Sequence, residues 1–207
     1  MGFLFFVVVY ADVTKTGIAE TFKGISEEVT ADDVFVFYIA EHGTTYSDGD
    51  YYYLPVDFRY TNREDIPEKC ISKNDLIANL SLIKAGKTLV MLDTCNSGAF
   101  LDSAQRGIAE KTAIDRLTRA TGHATLAASS DTQSAMEGYN GHGIFTYVLL
   151  EGLGGKADSN NDGYVSLSEL ANYVESEVPN RSYDKWGYEQ VPMKDLRKQD
   201  FPLTEAK

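Results

Sequence analysis

Short apolar runs rich in Val, Phe and Tyr alternate along this chain with stretches in which apolar residues return every three or four positions. The runs predict buried strands at 3–10, 33–40, 51–54, 88–92 and 124–129. The helical period predicts a first helix through Ile18, Phe22, Ile25 and Val29, and a second through Leu76, Leu80 and Ile83, opened by the capping signal Ser72-Lys73-Asn74-Asp75 and stopped by Gly86. A third is expected at 108–121. A fourth carries Phe145, Val148, Leu149 and Leu153 before Gly154-Gly155, and a fifth runs over 168–178 to Pro179. Strand and helix in alternation describe an α/β domain with a mostly parallel central sheet. Residues 180–207 read as an irregular C-terminal segment with one edge strand, since Pro192 disfavours a central one.

Composition narrows the classes. The 207 residues suffice for one domain with a sizeable core, and 19 Lys and Arg against 31 Asp and Glu leave a net charge of −12. Such a field repels nucleic acid and anionic membrane and attracts cations and basic peptides. Two cysteines, Cys70 and Cys95, are too few for a disulfide scaffold, so a reducing, cytoplasmic setting is expected. The apolar opening at 1–10 has no basic leader region and is too short to span a membrane.

Two strand ends carry reactive side chains. The run 88–92 gives way to Asp93-Thr94-Cys95-Asn96-Ser97-Gly98, and the run 34–40 to Glu41-His42-Gly43. Ligands of open parallel sheets sit beyond the carboxyl ends of the strands, so neighbouring strands would bring His42 and Cys95 together. An imidazole beside a thiol activates it as a nucleophile. The amides of Gly43 and Cys95 could then hold the oxyanion of an acyl-transfer intermediate. The histidine precedes the cysteine by 53 residues, close to the caspase spacing.

With these stretches, and with Tyr53-Leu54-Pro55-Val56-Asp57 and Gly141-His142-Gly143-Ile144-Phe145-Thr146-Tyr147, the chain resembles the caspase-like cysteine peptidases, more closely their bacterial and metacaspase branches. The resemblance implies a three-layer sandwich, His42 and Cys95 as the catalytic pair, and Gly43 and Cys95 as oxyanion donors. Three departures stand out. Glu41 replaces the family's Gly, Asn96 replaces its His, and the family's first strand, which should precede 3–10, is lacking. The family's own calcium site is matched only by Asp57 and Asp102, with Lys73-Asn74 where paired acids would stand.

Asp93 lies two residues before Cys95 on extended chain, so the two face the same way, and a buried carboxylate calls for a cationic partner. The expected substrates are proteins or peptides with Arg or Lys at the cleavage site, as the metacaspase resemblance also implies. A carboxylate capping a turn or paired with an internal Lys is the competing explanation. Arg106 is a candidate for self-cleavage. Cys70 and His123 read as bystanders, and His142, between two glycines, as a turn residue.

One motif stands apart. Residues 158–169 fit D-x-[DN]-x-[DN]-G-x5-E in full, so Asp158, Asn160, Asp162, Tyr164 and Glu169 are candidate Ca2+ ligands. Every one of them also has a metal-free reading, because Ser166 and Glu169 form a capping box and Asp162-Gly163 a turn. The chain is thus expected to be a cysteine endopeptidase whose chemistry requires no cofactor. The alternative is an inactive or incomplete caspase-like module that binds proteins, a missing N-terminal segment or partner chain among them, and responds to calcium.

Overall fold

A computed structural model describes residues 7–47, 51–96, 124–129, 135–196 and 200–206, and at Thr45, Cys95 and Asn96 the backbone alone. Its main sheet contains β1 (Val34–Thr45), β2 (Tyr51–Tyr53), β3 (Ile71–Ser72), β4 (Lys87–Asn96), β5 (Ala124–Ala127) and β7 (Met193–Asp195), in the order β3-β2-β1-β4-β5-β7. A separate ribbon pairs β6 (Tyr164–Ser166) with β8 (Pro202–Glu205). The helices are α1 (Lys15–Glu28), α2 (Ile66–Lys69), α3 (Lys73–Ser81), α4 (Ile144–Glu151) and α5 (Leu167–Trp186). The central pairings of β1 with β4 and of β4 with β5 are parallel, while β2, β3 and β7 join antiparallel at the flanks. The mostly parallel α/β sheet read from the sequence is therefore present.

Alternation along β4 builds the layers. Leu89 and Met91 join Ala124 and Leu126 under α4 and α5, whose Ile144, Phe145, Val148, Leu170 and Val174 fill that side. Val90 and Leu92 face the opposite way, with Phe22 of α1 and Leu76 and Leu80 of α3. A sheet buried on both faces must be apolar at successive positions, which is why 88–92 reads as an unbroken run. Local chemistry fixes the helix starts. Thr14 accepts from the Gly17 amide at 3.0 Å, and Ser72 and Asp75 form the expected capping box.

Four expectations need correction. Residues 7–10 form no strand and lie exposed, Val7 at 76% and Val9 at 84%; residues 3–6 fall outside the described residues. An apolar run marks a segment able to pair, but pairing needs a neighbour, and none of the described strands lies beside it. Second, β1 and β4 extend past Ala40 and Leu92 through the site residues themselves. Third, α5 does not stop at Pro179 but runs through it to Trp186. Proline withholds one amide from the helix, yet Val174, Val178 and Ser182 stay buried on the same face, and the Ser182 hydroxyl donates to the Pro179 carbonyl at 2.9 Å. Gly187, left-handed at φ 71°, ends the helix instead. Fourth, the segment after 180 is accordingly helix followed by β7 and β8, not irregular chain. The helix expected at 108–121 lies outside the described residues.

One edge of the sheet is open among the described residues. β2 meets β1 only at Gly43, Thr44 and Thr45. The His42 carbonyl accepts from Leu54 at 2.9 Å, so its backbone faces away from β4. By strand alternation the backbone groups of Val36, Tyr38 and Ala40 face the same way. No described strand pairs with them.

Candidate active site

The parallel register of β1 and β4 sets Ala40 beside Asp93, Glu41 beside Thr94, His42 beside Cys95 and Gly43 beside Asn96. His42 and Cys95 are thus direct neighbours across two adjacent strands, at a strand spacing of about 4.8 Å. The side chain of His42 is exposed. Glu41 does not reach for the imidazole: its Oε1 accepts from the backbone amide of His42 at 2.8 Å. Gly43 is buried beneath Tyr51, whose phenol oxygen lies 2.1 Å from the place a Cβ would take, so no larger residue fits.

Asp93 is 8% exposed and sits between β4 and the start of α4. The Thr146 hydroxyl donates to its Oδ2, and the Tyr38 hydroxyl lies 2.6 Å from that of Thr146. A Cβ on Gly143 would come within 3.0 Å of Oδ2, so glycine there lets the helix start close on the carboxylate. Gly143 offers α4 no side-chain cap, and Asp93 reaches the first turn of α4 from another element through the Thr146 hydroxyl. Burial raises the Asp93 carboxyl above its ordinary value and Glu137 pushes the same way, while the hydroxyl and amide of Thr146 pull it back down. Among the described residues no Lys, Arg or His pairs with Asp93. The competing explanation by an internal Lys therefore has no support there, and the hydrogen bond that Asp93 accepts comes from Thr146, 53 residues on, not from a local turn.

The segment over Asp93 is fastened at two points that the sequence reading missed. Tyr139 and His142 bridge around Asn140 and Gly141, whose φ values of 50° and 87° suit a tight left-handed hairpin turn. The Asn-Gly pair was the available signal. Gln190, fully buried, accepts from the Met136 amide and donates to the Ala128 carbonyl, both at 2.6 Å. Lys185 packs over Tyr139 and Trp186, each at 4.9 Å from the ring centre. Nothing local in the sequence announces either contact.

The loop at 158–169 closes on itself. Asp158 accepts from the amides of Asp162 and Gly163 at 3.2 and 3.1 Å, Asn160 from Asp162 at 2.8 Å, and Asp162 from Tyr164 at 2.9 Å. Glu169 holds the amides of Ser159, Asn160 and Ser166 at 3.1, 3.3 and 3.0 Å and completes the capping box of α5. Its carboxyl is held below the ordinary value, first by the Ser166 amide. Among the described residues no group of three or more His, Cys, Asp or Glu side chains is arranged to hold a metal ion. The side chains that the motif offers as ligands thus organise the turn through hydrogen bonds of their own. Cys70 is free and buried, with burial pushing its thiol up to about 11. His142 is an exposed turn residue. Asp102, Arg106 and His123 lie outside the described residues, and no described helix is long and apolar enough to cross a membrane.

The central parallel strands of this α/β sheet bring a histidine and a cysteine into register near their carboxyl ends. Residues 1–201 match the caspase domain of peptidase family C14, and the chain belongs to that cysteine peptidase family. Its fold is similar to the crystal structure of a protein from Geobacter sulfurreducens, with a TM-score of 0.56 and 15% identity over 94% of this chain and 75% of that one. No curated protein sequence matches.

Proposed function

We propose that this chain is a cysteine endopeptidase that cleaves after Arg or Lys. The observation that carries the reading is the register of His42 against Cys95. In this reading the Cys95 sulfur attacks the scissile carbonyl carbon while the proton passes to His42. The amides of Gly43 and Cys95 turn out of the β1–β4 ladder to receive the oxyanion, and the imidazolium returns its proton to the departing amine. Water then releases the acyl group from sulfur and restores the thiol. The preference for a basic residue is supported by Asp93, a buried carboxylate with no cationic partner among the described residues, two positions before Cys95 on the same strand.

The experiment is hydrolysis of fluorogenic peptides ending in Arg, Lys or Asp, with Cys95→Ala and His42→Ala as controls. Either variant is expected to lose at least about a thousandfold in kcat/KM on the Arg peptide. Hydrolysis that survives Cys95→Ala removes the mechanism, and preference for Asp removes the role of Asp93.

The edge of β1, open among the described residues, favours a second reading, a protein-binding module completed by another extended segment, from this polypeptide or a partner chain. Backbone groups at Val36, Tyr38 and Ala40 and the apolar residues 7–10 supply surface for it. The two readings combine if completion is needed for activity. Peptide hydrolysis that appears only on adding a strand-forming segment would show that combination.

A further inference from the structure

The carboxylate that the proposed reaction uses to read a basic side chain does not stand alone. An ionised carboxylate only accepts hydrogen bonds, so the single hydroxyl hydrogen of Thr146 is spent on Asp93, and Thr146 can then only accept from Tyr38. The chain of donors therefore has one direction, from the Tyr38 phenol on β1, through Thr146 in the first turn of α4, to Asp93 on β4. It ties together three elements with no covalent continuity near the site. Thr146 is anchored by its helix, and Tyr38 by a strand paired to β4 from Val34 to Gly43.

We propose that Thr146 and Tyr38 are positioning residues of the basic-residue pocket: their hydroxyl chain fixes the Asp93 carboxylate in place to receive a guanidinium or ammonium group. This rests on the reading of Asp93 given above and adds the two residues that hold it. The physical need is plain. A carboxylate taken out of water without a counter-charge tends to bind a proton, and a protonated Asp93 would attract no cation. Donors aimed at the ionised form oppose that. The groups that bear on its charge are Tyr38 from β1, Glu137 from the segment before α4, and Thr146 from α4 itself, which does not titrate. Burial likewise raises the Tyr38 phenol, keeping it a donor at neutral pH.

The test combines two measurements on the full chain. The Asp93 carboxyl carbon, assigned by its disappearance in Asp93→Asn, is titrated by NMR in the parent, Thr146→Val, Thr146→Ser and Tyr38→Phe. In parallel, kcat and KM are followed against pH for a peptide ending in Arg and its norleucine counterpart. Thr146→Val is expected to move the carboxyl titration upward, and Tyr38→Phe to move it less far in the same direction. Both should raise KM for the Arg peptide, by about tenfold for Thr146→Val, and should raise it less for the norleucine peptide, so that selectivity for Arg falls. Thr146→Ser, which keeps the hydroxyl, should restore both. A titration that stays put in Thr146→Val and Tyr38→Phe overturns the hydroxyl chain, whatever the activity. An Arg preference that survives Asp93→Asn overturns instead the role of Asp93, and the titration still reports on the chain separately.

Discussion

His42 and Cys95 are register partners in the parallel pairing of β1 with β4. In the proposed reading, two groups held in register by backbone hydrogen bonds act as one unit. Removing either is then expected to cost nearly as much as removing both. His42→Ala, Cys95→Ala and the double variant should fall within about threefold of one another in kcat/KM on an Arg peptide. Losses that multiply in the double variant would mean that the two side chains act independently.

Asp93 sets stability against pocket charge. Because burial raises its carboxyl above the ordinary 3.8, the folded chain holds that proton more tightly than the unfolded chain does. Its contribution to stability is fully present below 3.8 and is lost as pH rises through the elevated value, so at neutral pH the charge works against folding. Asp93→Asn keeps an acceptor for the Thr146 hydroxyl without the charge. Urea denaturation should find it more stable than the parent at pH 7, with the gap closing as pH falls toward 4. A variant less stable at both ends would show that the carboxylate is chiefly structural.

Gln190 is a buried amide whose two ends are both used. Gln190→Leu strands the Met136 amide and the Ala128 carbonyl, and the cost should be about 2–4 kcal/mol, read as a lower urea midpoint at unchanged slope. Since Met136 begins the segment that covers Asp93, selectivity for Arg peptides should weaken as well. Unaltered selectivity in a destabilised Gln190→Leu would confine the residue to the fold.

Glu169 organises the turn at 158–169 by holding three amides. Glu169→Ala should therefore destabilise the chain by about 1–2 kcal/mol through the start of α5, and equally in calcium and in chelator. A calcium-dependent rise in the melting temperature of the parent, lost in Glu169→Ala, would show instead that the carboxylate leaves those amides to bind the ion.

What the sequence made legible follows the range of each interaction. Capping at Ser72 and Ser166 and the apolar runs of β1 and β4 are set by residues within a few positions of one another, and both were readable. The pairing of Asp93 with Thr146, 53 residues on, and of Gln190 with Ala128, 62 residues back, depends on packing between distant elements. Composition and period say nothing about such contacts. Pro179 misled for a related reason: its local preference to end a helix was overridden by burial of Val178 and Ser182. At 7–10 the apolar run misled, since those residues form no strand and lie exposed: a run does not determine its partner.

The free edge of β1 gives the last expectation. In a strand paired on one side only, amides alternate between bonded and solvated, and here the backbone of His42 fixes the phase. The amides of Phe35, Phe37 and Ile39 face β4, while those of Val36, Tyr38 and Ala40 face outward. Hydrogen exchange on the isolated chain should accordingly protect the first set and leave the second fast, although the residues alternate within one strand. Uniform protection would mean that the edge is already covered. An apolar, strand-forming peptide that slows only the outward set would identify this edge as the docking surface. Lysine at Val36, placed in the middle of the edge, should then weaken that peptide, because a charge disfavours edge pairing.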